Sequence, residues 1–295
     1  MEGVGELFGR SVDQVLRRPR AALAPFAVDA AMLLLGTIIF VSAAGIEVQF
    51  PQGYRLPNLP VAVPHALPTV GDVMGPTPAL GVDRAIATAA LLLILVAVPI
   101  LAFAEAGFLG VLKAVYLAPI DPLVEGRHSD AWSRIKEAFL ASGKRHFAPF
   151  VVLRLIQAGL AVAALFLPAL LPRFGNYGLG VLAVDVALLY APYAVVETGR
   201  GPFAAIRESL QLVADFLATT LVALLFGFLL TGGISILVAP LVGVAGAYAP
   251  LIAAALYAPV GTALSLFLYQ VYLSMRPREA LAEPLPARDP VPAAG

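Results

Sequence analysis

The chain has 295 residues, 60% of them apolar and 13% charged, with a mean hydropathy of +0.89. Its 19 basic and 19 acidic side chains cancel to a formal charge of zero, and a soluble domain carries about 25% charged residues. This excludes a disordered chain and an electrostatic nucleic-acid binder, the absence of cysteine excludes a disulfide scaffold, and lipid is left as the expected solvent for most of the chain.

A helix crosses a hydrocarbon core of roughly 30 Å with about 20 apolar residues, and six stretches meet that length. The first, 24–46, carries one acid, Asp29. Arg17-Arg18-Pro19-Arg20 before it and Val41-Ser42-Ala43-Ala44 within it have the general form of a signal peptide. The stretch is long enough to span, and the repeat described below requires it, so it is read as a retained span. The outer loop at 47–84 has seven prolines and four glycines; with no cysteine to staple it, an extended, polyproline-like cover is expected. The second stretch, 85–108, contains Pro99 and ends in Glu105-Ala106-Gly107. The third, 147–171, carries Arg154. The fourth, 178–196, carries Asp185 and Pro192 and runs into Glu197-Thr198-Gly199. The fifth and sixth, 216–238 and 251–273, share one uncharged run of 60 residues from Phe216 to Met275, too long for a single crossing, with a linker near Ala239-Pro240 and Ala249-Pro250. The tail, 276–295, has five prolines and is expected to be disordered.

Basic residues orient the spans. With the N-terminus inside, 15 of the 19 fall on the cytoplasmic side: Arg10, Arg17, Arg18 and Arg20, then Lys113, Arg127, Arg134, Lys136, Lys144 and Arg145, then Arg200 and Arg207, and finally Arg276, Arg278 and Arg288. Arg55, Arg84 and Arg173 fall outside, and Arg154 lies within a span. Both termini are therefore expected in the cytoplasm.

The chain repeats itself. Trp132, Glu137 and Phe139 match Phe203, Glu208 and Leu210, and Phe8, Asp13 and Val15 have the same spacing. Leu23-Ala24-Pro25-Phe26 follows Phe8 at the same interval at which Phe147-Ala148-Pro149-Phe150 follows Trp132. Each copy reads as a cytoplasmic amphipathic helix, an outgoing span and a returning span. Pro99, Pro192 and Pro259 mark the returning spans, the last two in identical Leu-Tyr-Ala-Pro contexts, and proline kinks a helix there. Glu105 and Glu197 are helix-end acids, each two residues before a glycine suited to the left-handed position after a helix. On the third amphipathic segment Phe203, Ile206, Leu210 and Val213 share one face, either resting in the headgroup boundary or packed under the bundle.

The segment from Glu197 to Leu210, leading into an apolar span, resembles the turn of a broad group of prokaryotic six-span membrane proteins. That group includes the membrane domain attached to some glycerophosphodiester phosphodiesterases. The resemblance covers about 132–225 and implies an architecture and a plasma-membrane address. No phosphodiesterase domain accompanies it, so it implies no such activity.

Chemistry is sparse. His65, His128 and His146 lack metal-ligand spacing and are expected on different sides, and neither a Gly-x-Ser-x-Gly elbow nor a phosphate loop is present. Glu137-Ala138 with Gly143 approximates the coupling loop of ABC importer permeases, but the glycine falls one place early and the later Ile-x-Leu-Pro element is missing. No enzyme, cofactor or metal is expected. Charges within spans are the better candidates, because each is expensive in hydrocarbon. Asp29 and Arg154 lie roughly 7–9 Å below the cytoplasmic surface at about 1.5 Å per residue, which predicts an ion pair. Asp185 lies roughly 10 Å from the outer end of its span with no evident partner.

These readings describe an all-α polytopic membrane protein with six transmembrane helices in three repeated hairpins. One domain covers 1–275, with repeats over about 4–108, 129–197 and 200–275. Two functions are expected: a non-catalytic component that organises lipid or supports a membrane partner complex, or a carrier for a small solute or lipid, proton-linked through Asp29, Arg154 and Asp185.

Overall fold

Backbone amides shielded from water need partners within the protein, and a helix supplies them from its own chain. The computed structural model of the protein describes residues 3–28, 30, 84–117, 128–170, 177–244 and 249–276. Helix accounts for 94% of the structure among the described residues, and none of them forms a strand. The order is α1 (Val4–Arg17), a 3₁₀ turn (Pro19–Ala22), α2 (Arg84–Leu112) continued by a π turn (Lys113–Leu117), α3 (His128–Leu170), α4 (Tyr177–Leu188), α5 (Ala191–Thr198), α6 (Pro202–Asp215), α7 (Leu217–Val244) and α8 (Ala249–Met275). Most of the predicted first span, nearly all of the outer loop and the tail beyond Arg276 lie outside the described residues.

Among the described residues three segments are long and apolar enough to cross a membrane: Val98–Leu117, Leu217–Ile234 and Ala254–Met275. Only 17% of the second is buried, against 78% of the third, so α7 is an outer wall and α8 is central. Leu221, Leu225 and Phe228 accordingly face outward from α7.

The fourth predicted span is not one helix. α4 stops at Leu188, Leu189 and Tyr190 form a turn, and α5 restarts at Ala191 with Pro192 in its first turn. Proline has no N–H to return to the Leu188 carbonyl, and its ring crowds that oxygen. Ser209 on α6 closes the gap: its hydroxyl accepts the Tyr190 N–H at 3.1 Å and donates to the Ala187 carbonyl at 2.7 Å. Pro99 and Pro259, by contrast, sit inside continuous helices.

α3 departs in the opposite direction. An amphipathic helix followed by a separate span was expected, but the chain forms one helix of 43 residues, about 65 Å long. Pro149, at the expected junction, lies inside this continuous helix without ending it, whereas Pro19 closes α1. Three glycines bring α3 against α2. A Cβ on Gly110 would stand 2.1 Å from the Ser142 Cβ, one on Gly107 2.8 Å from the Phe139 carbonyl oxygen, and one on Gly143 2.9 Å from the Phe103 ring. The Ser142 hydroxyl donates to the Ala106 carbonyl at 2.6 Å across this contact. Gly107 therefore serves close packing and does not end a helix: α2 runs through it to Leu112, and Glu105 lies in the helix interior. Gly199 does end one, with φ 65° and its N–H on the Val195 carbonyl at 2.9 Å.

The packing bears on the two placements expected of the third amphipathic segment. α6 buries Ala205, Ser209 and Leu212 and leaves Phe203 and Leu210 exposed at 72% and 48%. Small side chains let α6 lie close to α4 and α5; of its large apolar ones Phe203 and Leu210 point away from the bundle, while Leu212 is buried and Val213 packs on the core. α1 buries Leu7, Ser11 and Val15 on α8. There the Ser11 hydroxyl lies 3.2 Å from Gln270 Oε1, and the Gln270 amide donates to Gln14 Oε1 at 2.9 Å. Phe8 meets Phe267 edge-on at 5.5 Å. The Tyr116 hydroxyl donates to the Arg18 carbonyl at 2.8 Å, and the Arg18 guanidinium donates to the Val115 carbonyl, tying the end of α1 to the end of α2.

Candidate functional site

An ionised side chain in an apolar bundle must find its partners among neighbouring helices. Arg154 on α3 is 2% exposed and Glu105 on α2 is 3% exposed. The guanidinium reaches Glu105 Oε2 through Nε at 2.8 Å and through Nη2 at 2.7 Å. Its Nη1 donates to Gln157 Oε1 at 3.1 Å, and the Gln157 amide contacts Asp185 Oδ1 on α4 at 3.5 Å. Acid, base, amide and acid thus form a line across α2, α3 and α4. Packing sets the line: the glycine contacts hold α2 against α3, and Gln157 shares a helix face with Arg154 because it is three residues along.

Arg154 and Asp185, read separately from the sequence, meet here through Gln157. Glu105, read as a helix-end acid, is the carboxylate that holds Arg154. Asp29 lies outside the described residues, as does His65, and of His128 only the backbone is described. His146 is buried just ahead of the predicted third span. Burial there, reinforced by the Arg145 and Lys113 charges, holds its pKa below the usual 6.5.

A second polar layer lies where α5, α6 and α8 meet. Glu197 accepts the Tyr269 hydroxyl at 2.8 Å and pairs with Lys113 at 2.9 Å. Glu208 Oε1 accepts the Tyr272 hydroxyl at 2.8 Å and the Arg276 Nε at 3.1 Å, while its Oε2 is buried with no hydrogen-bond partner among the described residues. Arg276 stands 5.6 Å from the Tyr272 ring centre. Tyr193 packs on Tyr269 at 5.1 Å and Tyr190 on Tyr272 at 6.3 Å between ring centres. The Tyr190 hydroxyl donates to Thr220 at 3.2 Å.

The sequence marked Glu208 only as a repeat-matched acid and assigned no role to Gln157, Ser209 or these tyrosines. The signal for the tyrosines was present in Tyr190-Ala-Pro-Tyr193 and Tyr269-Gln-Val-Tyr272, two pairs at helical spacing on returning segments. Ser209 left no such signal, because its role depends on a break in another helix.

Among the described residues no three His, Asp or Glu side chains gather as a metal site requires. The arrangement is suited to locking helices together by paired charges and hydroxyls. No family model, curated protein or solved structure matches the chain, so function rests on the site and the surfaces alone.

Proposed function

We propose that the chain is a six-span, non-catalytic component of a prokaryotic plasma membrane, with both termini in the cytoplasm, that organises lipid or supports a membrane partner complex. The observation that carries the reading is the inverted face of α6, which turns Ser209 inward and Phe203 and Leu210 outward. An amphipathic helix that buries small residues in its own bundle offers its large apolar ones to lipid or to a partner. Trp132, at the position matching Phe203, is also exposed.

The three-hairpin reading draws support from the packing order. The first half of α3 packs on α2, α6 packs on α4 and α5, and α1 packs on α8. Each amphipathic segment thus lies on a returning segment, with α1 completing the cycle. The resemblance over 132–225 to six-span prokaryotic proteins favours the same arrangement. Native mass spectrometry of the chain released gently from its own membrane tests the function. Reproducible retention of lipid or of a protein partner is expected; a chain that emerges bare overturns the reading.

A carrier is the second reading, and the break between α4 and α5 favours it. Interrupted helices near membrane-embedded polar groups build substrate sites in carriers, and the break falls four residues after Asp185. A discrete small solute retained by the wild-type chain and lost from Asp185→Asn would promote this reading over the first.

A further inference from the structure

We propose that the exposed side of α3 between Trp132 and Lys144 binds the headgroup of an anionic phospholipid of the cytoplasmic leaflet. The proposal rests on the six-span reading above, which puts this half of α3 on the cytoplasmic side. Ser133, Lys136, Glu137, Leu140, Ala141 and Lys144 line an open groove of about 410 Å³. Trp132, Lys136, Leu140 and Lys144 recur every fourth residue, so aromatic, basic, apolar and basic side chains follow one another along one side of the helix. All four are exposed. Neither lysine has an ion-pair partner among the described residues.

This mixture suits a lipid headgroup. Two ammonium groups, one turn either side of Leu140, attract a phosphodiester, and Leu140, Ala141 and Trp132 cover the apolar glycerol backbone. Ser133 supplies a hydroxyl and Glu137 an acceptor, which favours a headgroup with hydroxyls of its own. Glu137 also opposes an acidic protein segment, which would bring several carboxylates against it, whereas a singly charged phosphodiester meets both lysines without that conflict. Lys144 stands three residues before Phe147, itself exposed, where the predicted apolar span begins, so the row of side chains lies beside the start of that span.

Trp132 is the only tryptophan in the chain, and its emission reports on the groove directly. The full chain in neutral detergent micelles is titrated with phosphatidylglycerol, phosphatidylcholine or inorganic phosphate. Phosphatidylglycerol should shift Trp132 emission to the blue and saturate, with apparent affinity weakened about fivefold for each of Lys136→Gln and Lys144→Gln. Equal shifts with phosphatidylcholine, a shift reproduced by inorganic phosphate, or a preference unchanged in K136Q/K144Q would each overturn the site. No shift with any of the three, as expected of a face reserved for a protein partner, overturns it too. Both lysines are exposed, so the double variant should keep its unfolding midpoint. A cysteine in place of Ser133 separates the two levels of the argument. Labelling from outside the cell brings down the topology, whereas labelling from inside without a headgroup preference brings down this site alone.

Discussion

Arg154 is held by Glu105 and Gln157, and removing Glu105 strands a buried charge. Glu105→Gln or Arg154→Gln alone should cost about 3–5 kcal/mol, read as a lower denaturation midpoint in micelles. The double variant E105Q/R154Q should lose clearly less than the sum, because no charge is left alone; strict additivity would refute the pairing. Ser209 carries a different kind of load, since Ser209→Ala leaves the Tyr190 amide and the Ala187 carbonyl unsatisfied. A cost of about 1–3 kcal/mol is expected, with faster hydrogen exchange at the Tyr190 amide as its local signature. His146 adds a pH dependence. The folded chain binds its proton less readily than the unfolded one, so its contribution is complete above 6.5 and is lost as pH falls from there through the lowered folded value. Wild type should therefore lose more stability than His146→Gln between about pH 7 and about pH 5.

At the scale of elements, the contact between α2 and α3 is set by atoms that are absent. Gly110→Ala would put a methyl group 2.1 Å from the Ser142 Cβ, and the helices must separate to admit it. Overpacking of this kind costs about 1–3 kcal/mol. Ser142→Gly in the same chain should recover part of the loss despite forgoing the hydrogen bond to Ala106; no recovery would mean that the contact is not what limits the approach. The same separation would stretch the Arg154–Glu105 pair, so Gly110→Ala and Glu105→Gln should be less than additive. α6 follows a related rule: Ala205 and Ser209 are short enough to sit against the break between α4 and α5, which leaves the outward side of the helix to Phe203 and Leu210.

For the whole molecule, topology is the property most directly open to experiment. The chain has no cysteine, so single replacements can be labelled without background. Val61→Cys in the predicted outer loop and Ala247→Cys between α7 and α8 should react with an impermeant maleimide from outside the cell. Phe203→Cys and Leu281→Cys should react only after permeabilisation. If positions 203 and 247 report the same side, α7 does not cross and the six-span arrangement falls.

Several features were legible from residues taken one at a time. An all-helical chain, long apolar helices overlapping the stretches read at 85–108, 216–238 and 251–273, and the glycine at 199 follow from hydropathy, spacing and conformational preference, which are properties of a residue and its near neighbours. Arg154 and Asp185 were legible as unusual residues because a charge inside an apolar run stands out in any order of reading. Glu105 was read only as an acid at a helix end, and the structure places it in a helix interior. The partnership of the three was not legible. Glu105 lies 49 residues before Arg154, and Ser209 lies 22 residues after the carbonyl it holds. Such pairings are chosen by how close two helices approach and how each is rotated about its axis. The structure decided that Pro192 splits a span where Pro99 and Pro259 do not, that α3 runs on as one helix, and that α6 turns its small residues inward. The reason is the same in each case: propensity and composition sum over a chain locally, whereas a hydrogen bond or a steric contact exists only once two distant segments share a place.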